Sequence, residues 1–144
     1  MRHCYASIDG VSVTNTLTTL IQLVAAANRA IRVTRLEIYF GGTSSTAEPV
    51  DVFLKRQSGA GTSSALTPLK MDDSVAEAIV TTALKTFTAE PTDGDILFVA
   101  HVHPQQGLIW SPPCDLIVGG GDRLGLLGLA PSSVACNAGI YFEE

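Results

Sequence analysis

What most constrains this chain is the spacing of its breakers. Gly, Pro, Ser, Asp and Asn recur so closely that the apolar segments between them stay short. Several of these segments alternate apolar with polar residues, the period of a strand with one face buried. Residues 17–24 form the first clear one, ended by Asn28-Arg29. In 31–40, Ile31 and Val33 share a face, but the apolar set then continues at Leu36, Ile38 and Phe40. The phase therefore slips near Thr34-Arg35, which predicts a β-bulge there. Val50, Val52 and Leu54 alternate with Asp51, Phe53 and Lys55 and predict another half-buried strand. Residues 96–102 are strongly apolar and bounded by Asp93-Gly94 and Pro104; 108–110, 116–118, 124–129 and 134–142 complete the series.

The remaining segments read as connections. Residues 1–15 are expected to be an N-terminal arm, and 41–49 a loop. Residues 57–74 are expected to form a long loop that opens with the polar stretch QSGAGTSSALTP, 57–68. Residues 72–87 carry two signals. Val75, Ile79, Ala83 and Phe87 have helical spacing behind Asp72 or Asp73 as a cap, whereas the β-branched run Ile79-Val80-Thr81-Thr82 favours a strand. The adopted reading is a loop or short helical turn followed by a strand over 78–88. The whole is then one all-β domain over 1–144, an antiparallel β-sandwich of about eight strands with no internal repeat.

The 144 residues suffice for one domain with a sizeable core. Only 16% are charged and 46% are hydrophobic, against about 25% charged in an average soluble domain. So little charge implies that part of the surface is buried against other subunits; a monomer covered by Thr and Ser is the alternative. The net charge of −5 and the lack of any Lys or Arg run argue against direct nucleic-acid binding. MRHCYASIDG lacks the apolar stretch of a signal peptide, and the longest apolar run, 23–27, is too short to span a bilayer. Synthesis in the cytoplasm without membrane attachment is the expectation.

The stretch IVGGGDRLGLLGLAP, 117–131, raises the question of a nucleotide site. A dinucleotide fingerprint needs GxGxxG opening into a helix. Here the third glycine position is Leu124, and Gly125, Gly128 and Pro131 make poor helix material. No GK[ST] of a P-loop occurs. The structural reading is a tight reversal at Gly119 to Asp122 making a hairpin between 116–118 and 124–129. Gly125 and Gly128 would then let a backbone or bulky side chain approach the second strand.

Other candidates are few. His101 and His103 fall on one face of a strand, as metal sites of the cupin type begin, but Pro104-Gln105-Gln106-Gly107 replaces the expected Glu and no later His exists. His3 could join them only if the N-terminus folded back. No metal or cofactor is expected, with His101 and His103 the candidates should one be present. Cys4, Cys114 and Cys136 lack CxxC spacing and read as small buried hydrophobes. No G-x-S-x-G elbow occurs, and Asp72-Asp73 and Glu143-Glu144 read as solvated charges. Trp110, beside Ser111-Pro112-Pro113, reads as a core or interface residue, with sugar stacking as the alternative. No residue demands a chemical role, so no catalytic site is expected and the protein reads as non-enzymatic.

The order of features resembles that of head decoration (cement) proteins of tailed bacteriophages. The elements are Tyr5, RVTRLEIYFGG, DVFLKRQSGAGTSSALTPLKMDD, Gly107-Leu108-Ile109-Trp110 with its prolines, GGGDRLGLLGL and the terminal GIYFEE. The resemblance implies a jelly-roll-like sandwich and a homotrimer bound to the major capsid protein on the outside of an icosahedral head, where it stabilises the shell. The 57–68 loop or residues 1–15 would contact neighbours. A tail or fibre component built on the same sandwich, and a receptor- or carbohydrate-binding module, are the alternatives.

Overall fold

The computed structural model describes residues 1–41, 48–74 and 76–144. Most of the expected 41–49 loop, and Val75 of the helically spaced set, lie outside the described residues. The described backbone forms twelve strands and no helix: β1 (His3–Val13), β2 (Thr18–Val24), β3 (Ile31–Gly41), β4 (Val50–Ser58), β5 (Thr62–Leu66), β6 (Leu69–Lys70), β7 (Thr82–Ala89), β8 (Thr92–Val102), β9 (Leu108–Trp110), β10 (Leu116–Val118), β11 (Arg123–Leu129) and β12 (Val134–Glu143). Every pairing is antiparallel. One six-stranded sheet runs β10-β3-β12-β1-β6, with β9 also paired to β3; the other runs β5-β7-β2-β11-β4-β8.

The two sheets bury one apolar cluster between them. Ile8, Leu36, Ile38, Ile140 and Phe142 come from the first sheet, and Ile21, Leu23, Leu54, Leu124 and Leu126 from the second. Alternation explains the half-buried strands, since Val50, Val52 and Leu54 point inward as their spacing requires. The phase slip in β3 is a bulge, as expected. Arg35 faces Tyr141 and Val33 faces Phe142, which leaves Thr34 as the extra residue. Its hydroxyl donates to the Tyr141 carbonyl at 3.2 Å.

Several expectations are corrected. Twelve strands are present among the described residues, and only eight of them run to seven residues or more. Residues 1–15 are no free arm, because β1 pairs with β12 on one side and β6 on the other. The 57–74 segment is no single loop. Residues 57 and 58 end β4, and the polar TSSAL forms β5 against β7. Neighbouring backbone supplies hydrogen bonds to a strand whatever its side chains, so polarity concealed these two elements. The strand expected over 78–88 begins only at Thr82 and runs to Ala89. Backbone groups of Val80 and Thr81 instead donate to the Glu144 carboxylate, at 3.0 and 2.9 Å.

The reversal at Gly119 to Asp122 is a turn, closed by the Asp122 amide on the Gly119 carbonyl at 2.9 Å. Gly121 takes φ +85, the left-handed conformation a type II turn needs at its third residue. It is not a hairpin. β10 pairs with β3 in one sheet, whereas β11 lies between β2 and β4 in the other. The turn thus carries the chain across the sandwich, and it is anchored to the end of β2 by two backbone bonds with Ala25, each 3.1 Å.

Candidate functional site

The residues singled out from sequence do not gather. The His101 Nδ1 pairs with Asp51 on the outer face of the second sheet. His103 Nδ1 accepts the Gln105 amide at 3.2 Å in the turn after β8, and His3 pairs with Glu143 at 3.0 Å in the other sheet. Among the described residues no three His, Cys, Asp or Glu side chains come together as a metal site. Burial pushes the Cys136 thiol up to about 11 and also raises Cys4, which keeps both protonated at neutral pH. Cys114 departs from its expectation, since it is exposed. Glu143 and Glu144 are not solvated charges either. Glu143 pairs with Arg32 and His3, and Glu144 with Arg2.

Gly125 of β11 makes room for a polar network that sequence reasoning did not anticipate, whereas Gly128 is approached by Val13 and Leu20. A Cβ on Gly125 would lie 2.2 Å from Gln57 Oε1, so the Gln57 side chain occupies the space that any larger residue would take. Gln57 accepts from Gln22 Nε2 at 3.0 Å and donates to Thr19 Oγ1 and Asp93 Oδ1, each at 3.0 Å. Thr19 in turn donates to Glu90 at 2.6 Å, and Arg123 donates to Gln22 Oε1 at 3.0 Å. The network covers the outward faces of β2 and β11, which explains why both strands are buried on both sides. The signal was present in the pairing of Gly125 with long polar residues on either side, visible only once register is known.

The surface least expected of a finished domain lies along one side of the sandwich. Among the described residues β8 pairs only with β4, which leaves its other edge open, and β9 and β10 pair only with β3. A strand reading ILFVAHV ordinarily sits inside a sheet, covered on both faces. Here Ile96 is 55% exposed, Val99 50% and Leu97 36%; on the neighbouring short strands Ile109 is 58% and Ile117 43% exposed. Between these strands runs a groove of about 410 Å³ lined by Leu97, Phe98, Trp110, Pro112, Pro113 and Leu116. Phe98 and Trp110 stack across it at 4.3 Å and tie the two sheets together. One face of Trp110 is therefore already taken by Phe98. Cys114 and Asp115 form the rim.

An open edge of this kind templates pairing with another chain unless charge, proline or bulges blunt it. β8 carries two register shifts against β4, after Leu54 and after Lys55, and acidic residues only at its start. The bulges limit simple strand addition, but they leave the apolar side chains uncovered. The arrangement offers an apolar contact surface with the exposed Cys114 thiol beside it. No family model, no curated protein and no solved structure matches this chain.

Proposed function

We propose that this chain is a non-enzymatic structural subunit: a head decoration protein that forms a homotrimer on the outer surface of a bacteriophage shell and binds the major capsid protein. The open apolar edge formed by β8, β9 and β10 carries this reading. Isolated exposed apolar residues need no explanation, but a grooved run of them marks a surface that another protein covers. The eight longer strands serve as a jelly-roll-like frame, with β5, β6, β9 and β10 as short additions along its borders.

A second observation supports the ring. A cyclic trimer uses a heterologous interface, in which one surface of each copy meets a different surface of the next. The opposite side of the sandwich, bordered by β5 and β6, exposes Leu69, Met71 and Val80. Each subunit thus carries one apolar groove and, across the molecule, exposed apolar side chains that in this reading fill the groove of its neighbour. Three weak contacts with a shell then add into firm attachment. Synthesis in the host cytoplasm, residence on the capsid exterior, and contact with protein but not nucleic acid or membrane complete the proposal. Electron cryo-microscopy of the particle tests it: density for this chain is expected in threes on the outside of the head. Density in the tail, or none on the particle, overturns it.

A further inference from the structure

The outer face of the first sheet holds a polar and aromatic hollow that shares no lining residue with the apolar groove. Across β1, β12 and β3, one row of side chains is Tyr5, Tyr141 and Arg35, and the next is Ser7, Gly139 and Glu37. Asn137 and Tyr39 form the row beyond. Gly139 is bare because the Tyr5 ring lies over it; a Cβ there would come within 2.3 Å of that ring. Tyr5 stacks on Tyr141 at 4.2 Å, and the Arg35 guanidinium sits 4.2 Å from the Tyr141 centroid. Both phenols donate to Glu37 Oε1, at 3.0 and 3.4 Å. The cluster is held before anything binds.

Beside it the surface dips into a hollow of about 210 Å³, lined by Tyr5, Ser7, Asp9, Glu37, Tyr39 and Asn137. The Tyr39 ring is braced on Gly107, where a Cβ would meet it at 2.5 Å, and the residue stays 41% exposed. Asn137 Oδ1 accepts the Gly10 amide at 2.9 Å. That bond fixes the carboxamide and leaves its NH2 without a protein partner among the described residues. Asp9 has neither hydrogen bond nor ion pair among them.

We propose that this hollow binds one ring of a neutral sugar. Its volume is below the roughly 300 Å³ at which drug-sized pockets begin, so it suits a single ring. Tyr39 supplies an aromatic face for the C–H side of that ring. Asp9 and Glu37 supply acceptors for paired hydroxyls, and the Asn137 NH2 supplies a donor. Glu37 is paired with Arg35 at 3.8 Å, so Asp9 is the carboxylate without a counter-charge among the described residues; it disfavours phosphate and uronate, which sets the preference for an uncharged ligand. The hollow uses none of the residues that line the apolar groove, so neither proposal depends on the other.

The test is an amide chemical-shift titration of the whole chain with glucose, galactose, mannose and N-acetylglucosamine, with glucuronate and inorganic phosphate as charged probes. At least one neutral sugar should give saturable shifts at Ser7, Asp9, Glu37 and Asn137, and glucuronate should bind more weakly. Tyr39→Ala and Asn137→Ala should each weaken that binding by about tenfold. Thr88→Ala, on β7 of the other sheet, should leave it unchanged. Saturation by none of the four neutral sugars, equal binding of phosphate, or insensitivity to Tyr39→Ala each overturns the proposal.

Discussion

At Gly125 a missing side chain decides what the neighbouring residues can do. The Gln57 carboxamide fills its place and binds Thr19, Gln22 and Asp93 at once. Gly125→Ala must displace it and leave buried partners unsatisfied, which costs on the order of 1–3 kcal/mol. Urea denaturation should show that loss, and it should shrink markedly in a Gln57→Ala background, because the displaced group is already gone. At Gly121 the cost comes from the backbone alone: its surroundings are open but φ is +85. Gly121→Ala should lose about 1–2 kcal/mol through the left-handed conformation, with no effect on any ligand. Gly120→Val should also destabilise, since its Cβ would meet the Ala27 carbonyl at 2.5 Å. Glu144 sets an acid limit. Burial alone would raise its pKa, but bonds from the Thr81 hydroxyl and the Val80 and Thr81 amides, with Arg2 nearby, hold the carboxyl below the ordinary range. A depressed folded-state pKa adds stability that is complete above the unfolded value of about 4.3. It is lost as pH falls from there through the lower folded value. Melting followed between neutral pH and pH ~3 should show this drop in the wild type and a smaller one in Glu144→Gln.

Among the elements, β8 joins stability and function least tightly. It closes the core through Val102 and, in part, Phe98, while Ile96, Leu97 and Val99 face outward. Leu97→Asp gives up only part of a Leu side chain's packing and should cost about 1–2 kcal/mol without unfolding the chain. It should nevertheless abolish self-association, a separation readable by pairing denaturation with light scattering. How far such elements can be read from sequence depends on where their hydrogen bonds go. Alternation located β4, and the slip at Thr34 located the bulge, because both follow from side chains facing a core. β5 and β6 were missed because backbone pairing supports them without apolar alternation. The opening strand β1 was missed because its inward residues Cys4, Ala6 and Ile8 are small or isolated in the sequence. The turn at Gly119 to Asp122 was legible, but its destination was not, since a turn of this type serves a hairpin and a sheet crossing equally. The sites themselves were illegible for a related reason. The groove joins Leu97 to Leu116, and the hollow joins Tyr5 to Asn137, pairs that only the topology brings together.

The whole molecule is a block with two apolar borders and a polar, aromatic front. The borders differ from one another: a groove on the β8 side, and Leu69, Met71 and Val80 on the β6 side. A ring joining these two borders makes a specific forecast for mixtures. Leu97→Asp and Met71→Asp should each be monomeric alone, yet together form a one-to-one dimer through the single intact pair of surfaces. A two-fold contact between like edges would give no such complementation. Ring closure also fits the composition, because 16% charged residues leave a lone subunit with little to keep its borders in water. The central claim is that this chain exists to assemble. Sedimentation equilibrium of the wild-type protein at micromolar concentration tests it most directly. The mass expected is three times the 15.1 kDa of one chain; a single species at the mass of one chain contradicts the account.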